Sequence, residues 1–221
     1  MNLSMRRLAD LLLVGGVVVV GAGVVVEILR FGTVGEFALA SAFSLSQEAN
    51  VPTWYSSMLL FSCSLALLSV AAQEEQGAGA RWRFHWRGLA FAFAAISMDE
   101  VAGFHERINS SAHIGGIFYY AWVIPFGAAV VVIGVLCLPF LAALPRVTRL
   151  RFVLAGGLYV GGALGVELGL GAWASEHGPM NLTYRLIDAV EEAGEIAGAS
   201  LFLWAVLSHK SAGVVVDDAA A

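Results

Sequence analysis

The sequence predicts an all-α polytopic membrane protein, a bundle of six transmembrane helices with both termini in the cytoplasm. Three observations carry this prediction. Hydrophobic residues make up 59 % of the 221 residues and charged residues 13 %, with a mean hydropathy of +0.79. One soluble core of this size cannot hide so much apolar surface. The apolar residues fall into six runs, roughly 8–30, 54–72, 88–107, 118–142, 150–173 and 184–208, each near the ~20 residues that cross a bilayer core about 30 Å thick. The runs are continuous and lack the alternation of a barrel strand. The same composition excludes an ordinary cytosolic enzyme and a disordered chain, and a net charge of −5 without a basic patch excludes a nucleic-acid partner.

The first run follows Arg6 and Arg7 and continues past Gly21-Ala22-Gly23 to Val26, so it reads as a retained helix in preference to a cleaved leader. The largest outer loop is 31–53. Phe37 to Gln47 is expected to form a short interfacial helix, and Asn50 and Pro52 lead into the second span. The inner loop 73–87, with Glu74, Glu75 and a Gly-Ala-Gly stretch, reads as a flexible connector. Orientation follows the basic residues. Placing the N-terminus inside puts Arg6, Arg7, Arg81, Arg83, Arg87, Arg146, Arg149, Arg151 and Lys210 on the cytoplasmic side, nine of the twelve Lys and Arg. Only Arg30, Arg107 and Arg185 then fall outside. Trp54, Tyr55, Trp122, Trp173 and Tyr184 lie at outer span ends, where aromatic belts form. Residues 1–210 read as one transmembrane domain and 211–221 as a flexible cytoplasmic tail. Cys63 and Cys137 sit in apolar runs and behave as small buried hydrophobes.

The acids are the unusual feature. A carboxylate at the centre of a membrane helix costs roughly 2.5–3.5 kcal/mol even on a lenient scale, yet this chain has many, and they share a depth. Asp99, Glu100, His105 and Glu106 occupy the outer half of the third span, and Glu167 that of the fifth. Asp188, Glu191, Glu192 and Glu195 fill the first turns of the sixth, spaced i, i+3, i+4, i+7 on one stripe. Asp99 and Glu106 share a face. Glu100 and His105 point elsewhere unless Gly103 bends the helix. These eight acids face two permanent cations, the charge partners Arg107 and Arg185, an excess of six negative charges. Protonation, water or metal ions must relieve it. Carboxylates from several helices joined by a His are how helix bundles build di-metal sites. The expected metal ligands are therefore Asp99, Glu100, His105, Glu106, Glu167, Glu191, Glu192 and Glu195. Glu27, Glu48, Asp188, His113 and His177 are secondary candidates.

The stretches Glu48-x-Asn50-x-Pro52-Thr53-Trp54-Tyr55-Ser56-Ser57, Asp99-Glu100-x4-His105-Glu106 and Glu191-Glu192-x2-Glu195-x2-Gly198 resemble a widespread group of uncharacterised bacterial six-span membrane proteins. The resemblance covers most of the chain and implies that the three stretches form one functional set in a bacterial inner membrane. It implies no reaction. Better-understood templates do not fit. The Glu-x-x-His of ferritin-like di-iron proteins is absent. Five His cannot supply a membrane desaturase, the only Lys is Lys210 at the inner end, which excludes a retinal Schiff base, and a three-His zinc hydrolase leaves the acids unexplained. Ligands so rich in oxygen suit Fe or Mn, with Ca, Mg or Zn as further candidates. A redox-active or hydrolytic centre there would meet lipid, quinone or another apolar substrate from the bilayer. The alternatives are a proton- or cation-coupled transporter, for which the inner half lacks polar groups beyond Asp10 and a few Ser, and an accessory subunit of a larger membrane complex.

Overall fold

The computed structural model describes residues 3–32, 37, 40–74, 78–111 and 114–218, and every regular element among them is helical. In chain order these are α1 (Leu3–Gly32), α2 (Ala40–Phe43), α3 (Val51–Gln73), a 3-10 turn (Ala78–Trp82), α4 (Arg83–Ala102), α5 (Phe104–Ser111), a second 3-10 turn (Gly116–Phe118), α6 (Val123–Ala143), α7 (Arg146–Val160), a π-helical segment (Gly161–Val166), α8 (Glu167–His177) and α9 (Leu182–Asp218). Four helices are long and apolar enough to cross a membrane: Arg7–Phe31, Val51–Gln73, Val123–Ala143 and the continuous rod Arg146–His177. Helices α4 and α9 occupy the other two expected segments. With 20 and 37 residues they have the length, but ionisable side chains interrupt their apolar character.

Local chemistry sets several boundaries away from those read in the sequence. The second span begins at Val51 because Asn50 caps it, accepting the Thr53 N–H at 3.2 Å, with Pro52 in the first turn. The third expected span breaks at Gly103, whose φ of 58° lies in the left-handed region, and restarts as α5. The fourth begins at Val123, after a tight turn, not at 118. Of the expected interfacial helix from Phe37 to Gln47, only Ala40–Phe43 is helical, with 38 and 39 outside the described residues. The expected inner connector is shorter than 73–87, since α4 already starts at Arg83.

The core lies between α3, α4, α7 and α9, with Leu59, Leu60, Cys63, Leu67, Trp86 and Val206 fully buried. Phe140 is the anchor of α6 in this core, stacking edge-on against Trp86 at 4.8 Å. Most of α6 is otherwise exposed. The rod of α7 and the π segment crosses α9 on glycines. A Cβ on Gly198 would lie 2.6 Å from the Tyr159 backbone N, and one on Gly162 2.8 Å from the Glu191 carbonyl oxygen. Small residues let membrane helices approach this closely, and the approach brings Glu167 toward the α9 acids. Gly198→Ala is expected to destabilise the protein by about 1–3 kcal/mol through overpacking. Gly157→Ala, where a Cβ meets nothing within 4 Å, is expected to be neutral or stabilising. Thermal unfolding of the two variants in detergent checks the contrast.

Candidate metal centre

Gly103 does more than end α4. Its N–H bonds to the Asp99 carbonyl at 2.7 Å, and the chain turns so that Asp99 Oδ1 accepts the N–H groups of Phe104 (3.0 Å) and His105 (3.2 Å). Asp99 thereby caps α5. Its other oxygen, Oδ2, lies 2.9 Å from His105 Nδ1. This fixes the imidazole so that Nε2 faces Glu48 Oε1 at 3.2 Å and Glu106 Oε1 at 3.6 Å. One ligand atom each from Glu48, His105 and Glu106 lies within 4.8 Å of the others, a group able to hold a metal ion. Glu48 reaches His105 because Asn50 ties down its loop, donating to the carbonyls of Ser44 (2.6 Å) and Gln47 (2.7 Å). A Cβ at Gly103 would also lie 3.0 Å from Glu48 Oε2 and push that carboxylate aside.

The same turn brings Glu100 and His105 round to the α9 stripe. A cavity of about 250 Å³ is lined by Glu48, Asp99, Glu100, His105, Glu106, Glu167, Asp188, Glu191, Glu192 and Glu195 and, among the described residues, by no Lys or Arg. All eight residues expected as ligands are on this wall, with Glu48 and Asp188 added. Glu167 is the first residue after the π segment and is buried at 7 % exposure. Its Oε1 accepts the Trp122 indole N–H at 2.8 Å. Asp188 Oδ2 and Glu191 Oε2 are buried without a hydrogen-bond partner. Buried anionic oxygens in that state are costly unless something positive meets them. Tyr120 and Tyr184, joined through their hydroxyls, line the cavity with Tyr159.

The remaining candidates lie elsewhere. Glu27 is fully buried on α1, where Ser44 Oγ donates to it, and it does not line the cavity. His177 is exposed and stacks on Trp173 with ring centroids 4.0 Å apart, so it joins no ligand group. His113 lies outside the described residues. Of the two expected charge partners, Arg185 attracts Asp188 electrostatically. Arg107 sits over the Phe104 ring. Arg185 sits over Phe31 and Tyr184 and donates to the Ser46 carbonyl at 3.3 Å. Neither lines the cavity. Glu48, a secondary candidate in the sequence, and Trp122, expected in the aromatic belt, both line the cavity. Tyr184 carried a usable signal, standing four residues before Asp188 on one helix face.

Fold and site together define an all-helical protein with four helices fit to cross a membrane and a carboxylate/His group that could hold a metal ion. The chain belongs to the family described as a domain of unknown function (DUF8692), whose profile matches residues 11–211. Comparison with curated proteins and with solved structures found no match.

Proposed function

We propose that the chain is a six-span integral protein of a bacterial cytoplasmic membrane, N-terminus inside, holding one or two divalent metal ions in the outer half of its helix bundle. The observation that carries this reading is the cavity wall of nine carboxylates and one His, with no Lys or Arg among the described residues that line it. Without cations these groups repel one another at short range in a poorly hydrated place. Glu48, His105 and Glu106 form one ligand group, with Asp99 holding the imidazole from behind in a carboxylate–histidine–metal arrangement. Glu100, Glu167, Glu191, Glu192 and Glu195 line the same cavity and are the ligands proposed for a second ion, although among the described residues only the first group already brings its ligand atoms together; the unpartnered oxygen of Glu191 is where that ion's charge would be met. Oxygen-rich ligation with a single imidazole suits Fe or Mn, ahead of Ca, Mg or Zn. Such a metal supplies Lewis-acid or redox chemistry when bound. The activity proposed is that of an oxidoreductase or hydrolase on a lipid-soluble molecule, a lipid or a quinone, entering from the bilayer.

Elemental analysis of the purified full chain tests the proposal. One or two tightly held metal equivalents are expected, falling by at least half in Glu192→Gln and Glu195→Gln. Metal-free protein that instead conducts protons or cations in vesicles would replace this reading with transport.

A further inference from the structure

We propose that a second, apolar cavity beside the acidic one binds the hydrocarbon chain of a single-chain amphiphile whose uncharged polar end, an ester or hydroxyl, reaches the metal centre. The orientation rests on the metal reading above; the chain site does not. The second cavity has a volume of about 240 Å³ and lies between α4, α6, α7 and α9, with Leu89, Phe93, Val130, Cys137, Phe152 and Phe202 among its walls. Among the described residues its polar side-chain atoms are the Cys137 thiol and the Tyr159 hydroxyl. A cavity so lined does not hold ordered water, which needs two or more polar partners. Left empty, it forfeits the dispersion contacts of its lining.

Two features say what fills it. Ile96, Val130, Tyr159 and Val160 line both cavities, so the apolar space and the acidic space meet end to end at Tyr159. An occupant that satisfies both walls has a long apolar part and one polar terminus. The acids disfavour an anionic terminus, which selects an ester or alcohol over a free carboxylate. The cavity also has room at its sides. Gly134 on α6 and Gly156 on α7 both line it, and a Cβ on either would meet nothing within 4 Å. Val131, Val135 and Leu138 on α6 are exposed and present an apolar face to lipid beside the cavity.

Methyl esters of 5-doxyl- and 16-doxyl-stearate, added to the full-length protein in detergent, test the proposal by electron paramagnetic resonance. Both probes should show an immobilised component that is lost at least 10-fold in affinity in Gly156→Phe and, on the opposite wall, in Gly134→Phe. With Mn2+ bound, the 5-doxyl signal should broaden much more than the 16-doxyl signal. An immobilised component unchanged in both variants, each still showing a cooperative thermal transition, means probe held only on the outer lipid-facing surface and overturns the proposal. Equal broadening of the two probes, or stronger broadening of the 16-doxyl probe, overturns the orientation. The Mn2+ signal recorded without probe reads the metal site separately. The sharp six-line signal of hydrated Mn2+ falls when the ion is bound; a signal undiminished by the protein, with chain binding intact, ends the metal reading and supports the chain site.

Discussion

Glu191→Gln is expected to raise the melting temperature of the metal-stripped protein and to lower that of the metal-loaded protein. Glu191 is 7 % exposed, and its Oε2 has no hydrogen-bond partner. On α9 it stands between Asp188, Glu192 and Glu195, with Glu167 on the facing wall. In stripped protein the carboxamide cannot carry the charge that Asp188, Glu167 and Glu195 oppose, a relief of about 1.4 kcal/mol for each pKa unit of that repulsion. That corresponds to about 2–4 °C for each kcal/mol in a chain of this size. In loaded protein the carboxamide is a weaker ligand. Metal at 100 times its Kd stabilises by about 2.7 kcal/mol, and each tenfold loss of affinity removes about 1.4 kcal/mol of that. Differential scanning fluorimetry with and without Mn2+ reads both signs. A variant that lowers both melting temperatures equally would mean that Glu191 makes an ordinary buried contact.

Asp99→Asn is the second large effect. The amide keeps an oxygen that can accept the N–H groups of Phe104 and His105, so the start of α5 survives. Its nitrogen, however, is a donor where Oδ2 accepted from His105 Nδ1. The imidazole must then carry its proton on Nε2, the atom that faces Glu48 and Glu106. Metal affinity is expected to fall about 10–100-fold, the usual consequence of losing the carboxylate behind a ligating His. Titration of stripped protein with Mn2+ measures it. Adding His105→Ala to Asp99→Asn should cost little more, since both act through one ring. Fully additive losses would mean that Asp99 is an independent ligand.

The sequence made the acid stripe of α9 visible because helical periodicity alone places Asp188, Glu191, Glu192 and Glu195 on one face. It also flagged Gly103 as the point where Glu100 and His105 could swing toward that stripe, since glycine tolerates the left-handed conformation at its φ of 58°. Partners from distant segments were not legible. Glu48 reaches His105 through a loop shaped by three Asn50 side-chain bonds. Trp122 meets Glu167 across 45 positions, and no local rule connects them. The two oxygens of Asp99 divide between a helix cap and an imidazole, which only coordinates can show. The π segment before Glu167 lies where Gly162 lets the rod press on α9, a packing effect with no periodic signature.

The central claim is that the acids hold a cation, and X-ray absorption at the Mn edge of Mn2+-loaded protein tests it most directly. An oxygen-rich shell with one imidazole, losing its nitrogen scattering in His105→Ala, is the result expected. The spectrum of the free hydrated ion, or a shell unchanged by that substitution, would contradict the account.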